Sequence, residues 1–327
     1  MSPDAIRAAI AARTDDLDRL DDPPDGTVLL RLLRLLYAIG RRDLPLGRLF
    51  EGHVDALQIV ARYGDAAQVE AAAGAARGGG GFGVWNADLA GEPLMLEEGR
   101  LSGGKSFASG AGILAHALVT VDGAGGRQLV LVDLARTPPA IDRSWWRTIG
   151  MQRSETHIVR WHQAPIAPGD LIGHPGDYVR EPWFSGGALR FAAVQAGGIA
   201  ALVDHARAHL LATGRAGDPH QAGRLAGLYG LAQAAAGAVR TAAERWHAAE
   251  GAERLALVSA ARVAVYDAGD RALVLAQQAV GVQAMFVDHP LAATLADLTV
   301  YLRQPGPDAQ RMHVGAAVAE GLIGPAL

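Results

Sequence analysis

The sequence predicts an α+β multidomain protein: an N-terminal helical domain, a small middle β-barrel or sheet domain, and a C-terminal antiparallel four-helix bundle. Three observations predict it. Apolar residues recur at helical spacing up to about residue 76 and again from about 188, whereas between these regions they gather in short β-type runs. Breaks rich in Gly and Pro fall where the periodicity changes, at "RGGGG" and in "GDLIGHPGDYVREPWFSGG". Finally, the last third holds four long helical patterns joined by short turns, which favours antiparallel neighbours. The divisions drawn are 1–80 (a reduced helical domain), 81–185 (the β domain) and 186–327 (the bundle).

The elements follow in order. Leu29, Leu32, Leu33, Leu36 and Tyr37 recur at spacings of three and four, and Leu46, Leu49, Phe50, Val54, Leu57 and Val60 share one face before Gly64 ends the pattern. "DDPPDG", Asp22 to Gly26, is a clear break between two helices of this region. No Gly-Lys-Ser/Thr follows "RGGGG", so that stretch is not read as a phosphate loop. "FGVWNA", "HALVTV", "RQLVLVDL" and "THIVRW" are strand-like, rich in Val, Leu and aromatics and bounded by Gly, Asp and Pro. Beyond them, Ala188 to Gly214, Gln221 to His247, Ala252 to Val280 and Pro290 to Leu302 are helical, with Asp218-Pro219 marking one start. No repeat at a fixed period is visible.

Composition narrows the function. At 327 residues the chain has ample length for a core, and a net charge of −4 gives no global attraction to nucleic acid or to an anionic membrane. The absence of Cys removes disulfides, thiolate nucleophiles, Cys-ligated zinc and iron–sulfur clusters, and fits a cytoplasmic location. The amino end lacks a signal-peptide core, and Val28 to Gly40 is interrupted by Arg31 and Arg34, too short and too charged to span a bilayer. The expectation is a soluble, cytoplasmic protein with neither nucleic acid nor membrane as partner.

One stretch, "GGKSFASGAG" from Gly103 to Gly112, raises a choice between a glycine-rich turn and a wall for a flat ring. An aromatic residue two positions before a hydroxyl, Phe107 and Ser109, would share one face of a strand. The alternative is a hairpin turn with a core Phe and a surface Ser.

The domain order together with these residues resembles the acyl-CoA dehydrogenase superfamily of flavoproteins. "FGVWNAD" stands where that family has a Tyr-Cys-Val-Thr-Glu-type strand against the flavin, with Phe82, Val84 and Trp85 matching by position. Lys105 to Ala111 stands for the family's Lys-x-Trp-Ile-Thr-Asn-Gly segment. The resemblance thereby implies that Phe107 lies beside the isoalloxazine and that Ser109 bonds near its N5 and O4. "QAVGVQAMFVDHPL" resembles the family's Gln-Ile-Leu-Gly-Gly-x-Gly-x-x-x-Glu-x-Pro stretch, with Gln278, Gly281 and Pro290 in register. There that stretch approaches the FAD of a neighbouring subunit, so a homodimer or homotetramer is implied. "GRAGDPHQAGRLAGL" looks like a shortened form of the segment that holds the FAD pyrophosphate and adenine, with His220 and Gln221 matching and Arg215 matching loosely. The resemblance covers roughly residues 40 to 310 and implies FAD as cofactor, held by Val84, Trp85, Phe107, Ser109, Arg215, Gln221, Gln278 and Gly281.

Acyl-thioester dehydrogenation removes an α-proton as hydride passes to the flavin, which needs a carboxylate opposite the ring. Fifteen residues after the matched Pro290, where the family's Glu stands, this chain has Pro305, with Asp308 three residues further on. The other position used in the family, at the start of the first bundle helix, holds no acid in "SGGALRFAAVQAGG". Flavin monooxygenases of the same fold also lack that Glu. They often carry Phe-x-Ser-Gly at the ring and a His on an N-terminal helix, matched here by Phe107 to Gly110 and by His53, although their C-terminal His-Asp pair is not found. His53 is therefore the catalytic candidate, while a lone helical His is also commonly structural. His157 and His162 lack a third metal ligand, Trp145-Trp146 are expected to cover the sheet or a domain boundary, and no nucleophile-elbow sequence exists. The expected function is an FAD-dependent oxidoreductase of acyl-CoA dehydrogenase type, oxidising an acyl-CoA or related acyl thioester without the usual Glu. The alternatives are a flavin-dependent monooxygenase and a non-catalytic flavin-binding scaffold.

Overall fold

Short polar side chains set the helix starts in the computed structural model, which describes residues 2–123, 125–303 and 306–325. Ser2 caps α1 (Pro3–Thr14), and Asp25 caps α2 (Gly26–Arg42) by accepting from Thr27 N and Val28 N at 2.8 and 2.9 Å. α3 (Leu44–Tyr63) ends at Gly64, and Asp65 with Gln68 forms a capping box at the head of α4 (Ala66–Arg77). The strands follow as β1 (Phe82–Trp85), β2 (Met95–Glu97), β3 (Arg100–Ala108), β4 (His116–Gly123), β5 (Gly126–Asp133), β6 (Ala140–Asp142), β7 (His157–Pro165) and β8 (Leu171–Ile172). A short α5 (Trp183–Gly186) leads into α6 (Ala188–Ala212), α7 (Pro219–Arg245), α8 (Gly251–Val280), α9 (Pro290–Tyr301) and α10 (Pro307–Ala319). Helices, then a sheet, then a helical bundle is the predicted fold class. α10 lies past the last helix expected from the sequence, because it carries no apolar stripe and buries only Ala317.

Contacts divide the chain into two compact units. The first comprises Met1–Pro23, Arg48–Arg147 and Gln152–Phe184; the second comprises Pro24–Gly47, Thr148–Met151 and Ser185–Leu327.

The first unit is built on the sheet, in the order β6-β7-β3-β2-β4-β5-β8, with β1 pairing parallel to β4. Both faces of β4 are covered, which is why "HALVTV" reads as a nearly unbroken apolar run. Ala117, Val119 and Val121 pack on one face with Trp85, Leu101, Val130 and Trp161, whereas Leu118 packs on the other with Phe82, Leu129 and the α3 residues Leu57 and Val60.

In the second unit α2 joins the C-terminal helices by an unusually close backbone approach. A Cβ on Gly40 would stand 2.3 Å from the Val194 carbonyl oxygen, and one on Gly197 would stand 2.2 Å from the Tyr37 oxygen. Gly197→Ala is thus expected to push α2 off α6 and cost about 1–3 kcal/mol in urea unfolding. Gly237→Ala on α7, where a Cβ meets nothing within 4 Å, should instead gain about 0.4–1 kcal/mol in the same assay. α5 and α6 together, Trp183–Ala212, are long and apolar enough to cross a membrane by length and composition, but 78% of their most apolar 18 residues is buried inside the protein, as in a core helix.

Candidate functional site

β3 and β7 part from regular pairing in the stretch that the sequence left open between a glycine-rich turn and a flat-ring wall. Their register shifts between Lys105 and Ala108, and two non-glycine residues beside the shift adopt left-handed backbone, Phe107 at φ +54° and Glu155 at φ +43°. Such residues cost about 1–3 kcal/mol and persist where the surroundings over-determine them, often at functional sites. β3 ends at Ala108, so Phe107 and Ser109 do not sit on one strand face as period-two alternation implied. The bulge instead turns Phe107 outward, 42% exposed, while Ser109 stays buried.

Three aromatic rings meet at this corner. Trp145 lies edge-on to Phe107 with centroids 4.8 Å apart, and Trp146 lies edge-on at 6.3 Å. Two residues after Phe107, the Ser109 hydroxyl accepts from Thr156 Oγ1 at 2.9 Å. Its own proton has no acceptor among the described residues, so it is available to a ligand oxygen or nitrogen. Gly110 N and Ala111 N donate to Ser154 O and Glu155 O at 2.8 and 3.1 Å, tying the corner to the residues before β7.

Two charged networks support the corner, and neither was visible in the sequence. Arg143 Nη1 and His157 Nε2 both meet Glu155 Oε2, at 2.7 and 2.9 Å, and the buried Nδ1 of His157 has no hydrogen-bond partner. On the other flank Lys105, completely buried, donates to Asp88, to Thr120 Oγ1 at 2.9 Å and to Asn86 O at 3.3 Å. Arg127 Nη2 reaches the second Asp88 oxygen at 2.8 Å. Burial pushes the Lys105 pKa down, against the pull of Asp88; desolvation opposes the charged form of Asp88 as well, but hydrogen bonds from Lys105 and Arg127 hold its carboxyl below the usual range.

The remaining sequence candidates fall in three places. Val84 and Trp85 take opposite faces of β1, Val84 toward the helices and Trp85 into the sheet core. Trp85 is 1% exposed, and its indole N–H donates to Ser109 O at 2.9 Å, so it braces the corner from within. His53 is fully buried on α3 between Phe50 and Phe82. Its Nδ1 accepts from Phe82 N at 3.1 Å, so the neutral ring carries its proton on Nε2, which faces Thr14 Oγ1 at 3.0 Å; Thr14 in turn donates to Ile10 O. Both ring nitrogens of His53, the residue expected to act in chemistry, are engaged in joining α1, α3 and β1. Burial lowers its pKa to about 4, which keeps it neutral.

In the second unit Arg215 lies in the exposed turn after α6, and Gln221 is buried in the first turn of α7. With its amide oriented toward its donors, Gln221 Oε1 accepts from Arg215 and from Arg224 at 3.2 Å. Gln278 is exposed in the last turn of α8, and Gly281 ends that helix at φ +82°. Val282, Met285, Phe286 and Val287 follow as exposed apolar residues. Pro305 lies outside the described residues; Asp308 is exposed and pairs with Arg311 at 3.0 Å.

No family model matches the sequence, and no curated protein matches it. Solved structures do match. TdsC from Paenibacillus sp. A11-2, in complex with FMN and indole, is 15% identical with a TM-score of 0.79, over 98% of this chain and 95% of that one. KijD3, in complex with FMN and a dTDP-linked amino keto sugar, is 20% identical with a TM-score of 0.77, over 98% and 86%. Butyryl-CoA dehydrogenase from Megasphaera elsdenii is 15% identical with a TM-score of 0.76, over 91% and 83%.

Proposed function

Starting from a chain that has the acyl-CoA dehydrogenase fold, we propose that it is a flavin-dependent oxidoreductase that seats its isoalloxazine at the Phe107–Ser109 corner. One observation carries this reading: two residues from the exposed Phe107 ring, which meets Trp145 edge-on, Ser109 keeps a buried hydroxyl whose proton is uncommitted. A flavin needs that combination, a planar apolar contact and an oriented donor toward N5 or O4. When bound, it would supply the redox chemistry, by two-electron transfer or by reaction with oxygen. Ser109 would bond the ring's polar edge, Phe107 and Trp145 would cover it and exclude water, and Trp85 and Thr156 would hold Ser109 in place. Arg215 and Gln221 would take the pyrophosphate of FAD, as the sequence resemblance implies; Gln278 and Gly281 would approach a neighbouring subunit's cofactor. The exposed Val282, Met285, Phe286 and Val287 support a homodimer or homotetramer, in which a second copy covers them.

Of the two enzymatic branches, the monooxygenase is favoured by Pro305, because proline cannot take the α-proton that acyl-CoA oxidation releases. The second reading, oxidation of an acyl thioester, is favoured by the Gln278, Gly281 and Pro290 register. The visible spectrum of the purified protein and mass spectrometry of the released flavin test the cofactor and distinguish FAD from FMN. Anaerobic bleaching by an acyl-CoA supports the second reading, and oxygen uptake only with reduced flavin supports the first. A protein that takes up no flavin on reconstitution overturns both. Ser109→Ala and Phe107→Ala should each weaken flavin retention about tenfold, read as the flavin dissociation constant. Phe107→Ala should lower the melting temperature only slightly, since the ring is 42% exposed and loses only its edge contacts with Trp145 and Trp146.

A further inference from the structure

α2, α6 and α7 of the second unit line a half-open cavity of about 190 Å³ that no part of the proposed flavin chemistry uses. Its floor is apolar, formed by Leu30 and Leu33 of α2, Ala193 and Ala196 of α6 and Val239 of α7. The alanines leave the space open, where Leu or Phe would fill it. The polar groups at its rim are Arg34, Tyr37, Gln233 and Arg240.

Their chemistry is one-sided. Arg34 and Arg240 have no carboxylate or other hydrogen-bond partner among the described residues, and the Tyr37 hydroxyl has no acceptor there either. Gln233 is committed to the Tyr229 hydroxyl at 2.7 Å. Burial pushes the Tyr37 pKa up, so its hydroxyl stays a donor. No Asp or Glu lines the cavity, although the whole chain carries a net charge of −4. Guanidinium pairs left without acids around a concave apolar floor complement a carboxylate joined to an apolar body. The size sets the body: an apolar cavity of about 150 Å³ is enough to bind benzene.

We propose that this cavity binds a small amphipathic monocarboxylate, with an apolar body of about one ring seated on Leu33, Ala193 and Val239 and its carboxylate between Arg34 and Arg240. Each part of the ligand then meets what the cavity offers: the ring replaces water on the floor, and the anion takes the unpaired donors at the mouth.

Benzoate is the probe, with benzamide as its neutral isostere and inorganic phosphate as the anion without an apolar body. Titration calorimetry of the full chain should show saturable one-to-one binding of benzoate, at least tenfold tighter than benzamide, and no binding of phosphate. The double variant Arg34→Gln/Arg240→Gln should lose about tenfold in benzoate affinity and none in benzamide affinity. Ala236→Leu, at the partly exposed cavity wall and tolerable to the fold, should abolish binding of both while the melting temperature stays near that of the parent. The inference is overturned if benzoate binds no tighter than benzamide, if the double variant binds benzoate like the parent, or if benzoate shows no saturable binding. Ser109→Ala should bind benzoate like the parent, which separates this site from the proposed flavin seat.

Discussion

Asp88→Ala is expected to destabilise the protein by about 3–5 kcal/mol, because it strands the ammonium of Lys105 in the core of the β sheet. With the carboxylate gone, Lys105 Nζ keeps only two neutral acceptors, Thr120 Oγ1 and Asn86 O, while the Arg127 guanidinium stays nearby with the same sign. Lys105→Met removes the buried charge itself. Asp88 then keeps its Arg127 contact at 2.8 Å and its share of solvent, so this variant should cost less than Asp88→Ala. The double variant should recover part of the loss. Urea unfolding of the three variants at neutral pH forms the cycle, and equal costs for the two single changes would refute the account.

The second large effect is acid lability centred on His53. A folded-state pKa of about 4 lies below the ordinary value of about 6.5, so between these values the unfolded chain binds the extra proton and the folded protein does not. The stabilisation is complete above about pH 6.5 and is lost as the pH falls toward 4, by about 3 kcal/mol for this group alone. His53→Gln cannot take up that proton, so its urea stability should fall less steeply over the same interval. His53→Ala is harsher at every pH: it opens a cavity between Phe50 and Phe82 and orphans the Phe82 N–H, at about 2–4 kcal/mol. If His53→Gln and the parent lose stability in parallel, His53 is not the titrating group.

What the sequence revealed, and what it withheld, follows the range of the forces involved. Local chemistry was legible: Asp218-Pro219 opens α7 and Pro290 opens α9, and the end expected at Leu302 lies one residue beyond Tyr301. The face of α3 was legible too, and the burial of His53 with it. That residue lies three positions after Phe50 and four before Leu57, on the apolar stripe itself, so burial was the natural expectation. The bulge at Phe107 was not legible, because only Gly or Asn announces positive φ and neither occupies that position. The pairing of Lys105 with Asp88 and Arg127 joins residues 17 and 39 positions apart through the sheet register, which no periodicity encodes. The flavin resemblance singled out the stretch around Phe107, but its strand geometry assumed regular alternation where the backbone turns.

The way α2 nestles against α6 also governs how the molecule can be cut. The backbone passes between the two units five times, at about residues 23, 47, 147, 151 and 184. A single protease nick therefore leaves neither unit as a contiguous fragment, and removing the first eighty residues as if they were a dispensable prologue would strip the bundle of a packed helix. Each unit must recruit pieces of polypeptide far apart in synthesis order, which slows folding and leaves α2 on the ribosome without its partners until α6 and α7 emerge.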